Sequence, residues 1–301
     1  MYSREMIKKE YLGRTVITVC GILVIVLTLS IGVFLMIKGS GTFFVYKHSV
    51  WEFLFSPVWS PEDTAAGGGK VGALIYIAGS IFTCGLSLAI ATPFCIAAAV
   101  FMTEIAPKAG MHVFRPAIEI FVGIPSVVYG WIGLTVLVPG IRDMFHLPHG
   151  FCVLSAAIVL AVMIFPTITT VSADAILSVP KEYRDGAYAL GVTRWNVISG
   201  IVLPAAKSQI LTGGVLGLSR AFGEALAVAM VIGKTKAFPH SVLSPTNTIT
   251  TAIASDMGGA MEGGEYNTAL WTLALLLYLL SLLFIYIIHR TAEENGGKEK
   301  N

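Results

Sequence analysis

The sequence predicts an all-α integral membrane protein of about six transmembrane helices, and three observations lead there. Of the 301 residues, 55% are hydrophobic and only 13% are charged, where a soluble domain carries about 25% charged residues. That leaves too little polar side chain to coat a water-facing surface, and the mean hydropathy of +0.78 agrees. The apolar residues are also gathered into runs, each able to cross a hydrocarbon layer of about 30 Å at 1.5 Å rise per residue. Finally, the runs hold internal Gly and Pro and are too long for lipid-facing barrel strands, so their backbone groups must be satisfied within helices.

The first run, Thr15 to Ile37, follows Arg4, Lys8, Lys9 and Arg14. A signal peptide shares that charged start, but its apolar core is only about 7–15 residues. This longer run lacks an A-x-A site and is expected to stay as a helix. The second run is Val71 to Phe101, and the third, Val113 to Val138, is interrupted by Gly123-Ile124-Pro125. The fourth is Phe151 to Leu177 with Pro166 inside, the fifth Ile210 to Ile232, and the sixth Leu270 to Ile288. The Gly123–Pro125 break and Pro166 are candidate hinges, although Gly and Pro are simply commoner in membrane helices.

Lys and Arg set the orientation. One set of loops and ends holds 13 of them: Arg4, Lys8, Lys9, Arg14, Lys108, Arg115, Lys181, Arg184, Arg194, Lys207, Arg290, Lys298 and Lys300. The other set holds 6: Lys38, Lys47, Lys70, Arg142, Lys234 and Lys236. Both termini are therefore expected in the cytoplasm. Two substantial external segments follow, 38–70 with Trp51 and Trp59, and 234–266 with an amphipathic stretch from Asn247 to Asp256. Either could meet an external partner; the plainer reading is a solvated loop with Trp rings at the lipid interface.

The formal net charge of +2 gives no sign of nucleic-acid binding. Cys20, Cys84, Cys95 and Cys152 lie in or beside apolar runs without CxxC spacing, and the six histidines are scattered. Neither a metal site nor a disulfide framework nor a catalytic constellation is expected. Gly67-Gly68-Gly69-Lys70-Val71 is the nearest approach to a nucleotide-binding loop, but it lacks the hydroxyl that would hold Mg²⁺ and lies on the external side.

The segment between the fourth and fifth runs carries the strongest pattern. Tyr183, Ala187, Leu190, Trp195 and Ile198 repeat near a period of 3.6 and can share faces of two short helices. Gly191 falls where a tight turn must separate them, since Gly alone enters left-handed geometry without steric cost. Pro204 then restarts a helix with its fixed φ. A helix–turn–helix on the cytoplasmic membrane surface results. It resembles the EAA loop of ABC importer permeases, EAA-x3-G-x9-I-x-L-P. Asp185, Gly186 and Ala187 stand at the EAA positions, and Gly191, Ile201, Leu203 and Pro204 at the rest. Asp for Glu keeps the charge, while Gly186 weakens the helix by about 1 kcal/mol relative to Ala. The resemblance implies that Tyr183 to Ser199 is the ATPase-coupling element, with a coupling loop spanning 181–204.

The fifth run holds Ser219-Arg220-Ala-Phe-Gly-Glu224. A charge near mid-membrane costs at least about 2.5–3.5 kcal/mol on insertion scales. On a continuous helix Arg220 and Glu224, four apart, share a face and can pair. Such a pair fixes helix position, or else Arg220 faces a pathway and takes up an oxyanion with its forked donors. Glu224 would then lock Arg220 in the empty site and accept a hydrogen bond from a protonated phosphate oxygen. Ser126, Thr167 and Thr170 could donate to an anion, although such hydroxyls more often bond their own helix backbone. Glu119 could pair with Arg115, and Asp174 belongs in the headgroup region.

Together Ile124–Gly130, Phe165–Ile168, Tyr188–Trp195 and Gly217–Glu224 resemble the PstC-type permease of the phosphate ABC importer, over roughly Gly72 to Arg290. The resemblance implies a MetI-like permease fold over 72–290. Residues 1–71 would supply a cytoplasmic segment, the first helix and an external loop, and 291–301 a cytoplasmic tail. It implies phosphate translocation across a prokaryotic inner membrane beside a PstA-like permease. Two PstB-like ATPase subunits would use ATP and Mg²⁺, and a PstS-like phosphate-binding protein would dock outside. This chain would bind no cofactor. The alternatives are another small oxyanion such as sulfate or molybdate, or a gradient-driven secondary transporter. The latter would leave the coupling loop unexplained.

Overall fold

Helices dominate because a chain crossing hydrocarbon can satisfy its backbone only within itself. The computed structural model describes residues 4–62 and 67–296; Lys298 and Lys300 of the tail lie outside the described residues. Helix α1 (Arg4–Gly39) is followed by the short α2 (Gly41–Phe44) and α3 (Val50–Phe55). Next come the two-residue strands β1 (Trp59–Ser60) and β2 (Lys70–Val71), antiparallel with Trp59 opposite Val71. Helix α4 (Leu74–Val100) continues into a π-helical turn, Phe101–Ile105. A short α5 (Pro107–Ala109) and a second π turn lead to α6 (Arg115–Gly123). Then α7 (Ser126–Ile132) joins α8 (Val138–Met144) through a third π turn, and α9 (Val153–Ser178) runs unbroken past Pro166.

The hairpin consists of α10 (Lys181–Ala189) and α11 (Arg194–Val197). A π turn, Ile198–Val202, carries α11 without interruption into α12 (Leu203–Gly223). The short α13 (Leu226–Ala229), α14 (Ile249–Asp256) and the long α15 (Glu265–Gly296) are the last elements among the described residues.

Among the described residues, six stretches are long and apolar enough to cross a membrane: Gly13–Phe44, Leu74–Ile105, Ser126–Met144, Val153–Ser178, Arg194–Gly223 and Glu265–Ile288. Two differ most from expectation. The third starts at Ser126 because Pro125 drives Ile124 out of helical geometry (ψ 126°), which ends α6. The fifth is not Ile210–Ile232. It begins with the hairpin's second helix and stops at Gly223, where Glu224 turns extended (φ −78°, ψ 121°).

Helices α4 and α9 form the central pair. Small residues at their contact, including Ala91, Cys95, Ala99, Ala156 and Ala157, are fully or nearly buried and let the backbones approach closely. One buried cluster around Leu160 and Ile164 fills the middle of the bundle. A second, with Met102, Ile176, Ala187 and Ile198, lies at the hairpin end. A third, with Phe53, Trp59, Tyr76, Ile249 and Leu270, closes the opposite end. By contrast, α1 leaves most of its apolar side chains exposed. It leans on α15, where Gly32 meets Tyr278, Gly39 meets Leu275, and Phe34 packs edge-on against Trp271 at 5.3 Å.

The two segments away from the hairpin are not simple solvated loops. Trp51 is exposed and stacks on Phe55, but Trp59 is buried edge-on against Tyr76 at 4.9 Å. Thr246–Thr251 is buried as well, and α14 packs against α4, α13 and α15. A Cβ at Gly79 would come within 2.0 Å of the Asn247 carbonyl oxygen, so the bare glycine on α4 is what admits this segment.

Candidate functional site

Arg220 sits in the last turn of α12, half-buried, and its Nη1 donates to Thr167 Oγ1 on α9 at 3.0 Å. Two glycines bring the helices that close. Cβ atoms at Gly213 and Gly217 would lie 3.0 Å from Val171 Cγ1 and 2.6 Å from Ile168 Cγ1. Gly213, Gly217 and Ala221 thus form a small-residue stripe that seats α12 on α9 and aims Arg220 at Thr167. Sequence reasoning passed over that four-residue spacing. Arg220 also lies within electrostatic reach of Tyr129 on α7, whose hydroxyl donates to Phe121 O at 2.9 Å across the break between α6 and α7.

Glu224 does not pair with Arg220. The expected i,i+4 contact needs a helix running through both residues, and α12 ends one residue before Glu224. Its Oε1 instead accepts from Ala227 N at 3.0 Å, and its carbonyl accepts from Thr250 Oγ1 on α14 at 2.9 Å. The lock imagined between the two charges is therefore absent. The other carboxylate oxygen accepts no hydrogen bond among the described residues. Ser126 begins α7, half-buried, its hydroxyl making no hydrogen bond among the described residues. Thr170 bonds its own helix, donating to Pro166 O at 2.6 Å.

The hairpin is built from its sequence pattern. Gly191 takes φ +75°, and its N–H donates to Tyr188 O at 2.9 Å, closing the first helix. Ala187, Val197 and Ile198 are buried, and Ile201 and Leu203 pack beside them. Tyr183, Leu190 and Trp195 face outward, with Leu190 84% exposed. The periodic residues therefore divide between an inner seat and an apolar outer tip. Asp185 and Gly186 are exposed on the first helix, and Pro204 stands in the first turn of α12.

Several charges are paired where single-sequence reading leaves them apart. Arg115 reaches Glu119 at 3.3 Å, as its spacing suggests, and also Asp174 on α9 at 2.9 Å. Partial burial works against the Arg115 charge, but Asp174 and Glu119 outweigh it and hold the guanidinium above its ordinary pKa. Arg184 on α10 pairs with Glu104 at 2.8 Å. At the opposite end Glu265, its side chain fully buried, accepts from the N–H groups of Glu62, Gly68 and Gly69 at 2.8, 3.1 and 2.9 Å. His48 Nε2 lies 2.7 Å from the same carboxylate. The glycine run that resembles a phosphate loop thus cradles an anion of its own chain, with Gly67 and Gly68 at φ +70° and +119°.

The family described as binding-protein-dependent transport system inner membrane component matches residues 91–293. The chain is 48% identical over 279 residues to a probable ABC transporter permease protein, YqgH, of Bacillus subtilis (strain 168), covering 93% of this chain and 89% of that one. It is 37% identical over 269 residues to the phosphate transport system permease protein PstC of Xylella fastidiosa (strain 9a5c), covering 83% and 81%. Among solved structures, a chain of a bacterial alginate ABC transporter, in complex with an alginate pentasaccharide-bound periplasmic protein, superposes with a TM-score of 0.63. That match covers 96% of both chains at 16% identity, a likeness of fold.

Proposed function

Because this chain belongs to the family of binding-protein-dependent transport system inner membrane components and is an ABC importer permease, we propose that it is the PstC-type subunit that carries inorganic phosphate through the membrane. The observation that carries this reading is continuity. The hairpin's second helix runs without a break into α12, the helix whose last turn bears Arg220. A displacement applied at the hairpin is thereby a displacement of the guanidinium.

In this reading the exposed tip, Tyr183, Leu190 and Trp195 with Asp185 beside it, docks on a PstB-like ATPase. That partner binds ATP and Mg²⁺ and does the hydrolysis. A PstA-like permease supplies the other half of the pathway, and a PstS-like protein delivers phosphate at the end holding α3 and α14. The hairpin faces the cytoplasm, as do both termini. Arg220 supplies a permanent positive charge and forked donors suited to phosphate oxygens. Thr167 holds the guanidinium in its waiting position, and Ser126 offers a further donor. Glu224, with one carboxylate oxygen unbonded among the described residues, accepts a hydrogen bond from the protonated oxygen of phosphate. Sulfate at neutral pH has no such proton and meets an unrelieved negative charge.

Uptake by the complex reconstituted in liposomes tests this. Arg220→Ala is expected to raise the phosphate concentration for half-maximal uptake by about 10- to 100-fold, the worth of a charge-assisted hydrogen bond. In the unaltered complex arsenate should compete and sulfate should not, whereas Glu224→Gln should let sulfate compete. Near-normal uptake in both variants would remove the pair from the pathway. Competition by sulfate or molybdate in the unaltered complex would transfer the cargo to those anions.

A further inference from the structure

One side chain ties the hairpin to the membrane bundle from the side. Arg184, on the first hairpin helix, donates through Nε and Nη2 to Glu104 Oε1 at 3.1 and 2.8 Å. It also donates through Nη1 to Val179 O at 2.6 Å and through Nη2 to Ile176 O at 2.8 Å. Glu104 lies in the π turn that ends α4, and the two carbonyls terminate α9. Only 16% of the Arg184 side chain and 10% of the Glu104 side chain are exposed. The cation thus sits at the negative end of a helix and against a carboxylate. Arg194, on the second hairpin helix, grips the same turn through Ile105 O at 3.3 Å.

We propose that Arg184, held by Glu104, is a positioning residue that makes the hairpin and the α4–α9 pair move as one body. The proposal rests on the reading that the hairpin docks an ATPase. The hairpin is joined covalently to the bundle at both ends, through α11 into α12 and Arg220, and through Val179-Pro180 into α9, which carries Thr167. The Arg184 clamp adds a further hold: it ties α10 to α4 and braces the α9–α10 joint, with the Arg194 contact beside it. The Arg220–Thr167 contact spans the two bodies so held. With the clamp cut, the α9–α10 joint is free to bend, and part of a push on the hairpin is lost between ATPase and pathway. Arg suits the post because its planar fork reaches three acceptors at once, which the single ammonium of Lys does not.

The test is the number of phosphates moved per ATP hydrolysed by the reconstituted complex, alongside the amount of ATPase that co-purifies. Arg184→Gln with Glu104→Gln removes both charges together, so no buried charge is stranded. The ATPase should still co-purify and hydrolyse, while transport per ATP falls at least about fivefold, the lower end of usual site-to-site coupling. Arg184→Lys should give an intermediate ratio. An unchanged ratio in the double variant would overturn the clamp. Should the double variant fail to assemble, an unchanged ratio in Arg184→Lys would overturn it equally. An unaltered complex that cannot drive uptake with ATP would instead overturn the importer reading, and the clamp with it.

Discussion

Arg220 shows how far single residues can be read in advance. Its type and its place in an apolar run mark it from sequence, because an unneutralised cation in hydrocarbon needs a reason to be there. Its partner was not legible. The i,i+4 rule points to Glu224, but the rule presupposes helical geometry at both residues, and Glu224 adopts ψ 121°. The actual acceptor, Thr167, is 53 residues away. Glu265 teaches the same lesson at the other end of the bundle. The glycine run 67–69 stands out in sequence, while the carboxylate it encloses lies at the start of α15. Glu265→Ala would strand three backbone N–H groups and the His48 ring. A fully buried stranded donor costs about 1–3 kcal/mol, and water reaching the exposed Glu62 and Gly68 reduces that cost here. The expected outcome is a clear fall in thermal midpoint and early proteolytic cutting within the 40–72 segment, read by limited digestion.

At the scale of elements, uninterrupted apolar runs translated directly into helices. The first and sixth crossings cover the expected residues, and the second and fourth start only three and two residues late, since hydrophobic length largely defines them. Boundaries moved where backbone chemistry intervened, at Pro125 and at Gly223. The hairpin was legible because its turn depends on one residue type at one place, and Gly191 sits there at φ +75°. The burial of α14 was not, because it depends on a close approach to Gly79 that no local pattern announces. Gly217 carries a comparable weight between α12 and α9. Gly217→Leu would force the helices apart at Ile168, where overpacking costs about 1–3 kcal/mol. Such a variant should lose uptake together with several degrees of thermal stability. Retained uptake at full rate would show that α12 need not lie against α9.

For the molecule as a whole, composition points to the solvent and charge placement predicts an orientation, but neither says which helices form the core. The structure puts α4 and α9 at its centre and α1 at its margin. Because α1 touches the rest chiefly through α15, its deletion removes little buried surface. A chain lacking residues 4–38, with its own start codon, should purify in detergent with a thermal midpoint close to that of the full chain. A collapse of that midpoint would mean that α1 carries more of the packing than its exposure implies.

The cradle around Glu265 has a consequence for traffic at that face. A ring of backbone N–H groups beside a histidine is a natural trap for any dissolved anion. Here the occupant is tethered, and a tethered group competes at an effective concentration in the millimolar range or above. A free anion arriving at far lower concentration cannot displace it. The cradle is thereby closed to free anions by a carboxylate that cannot diffuse away.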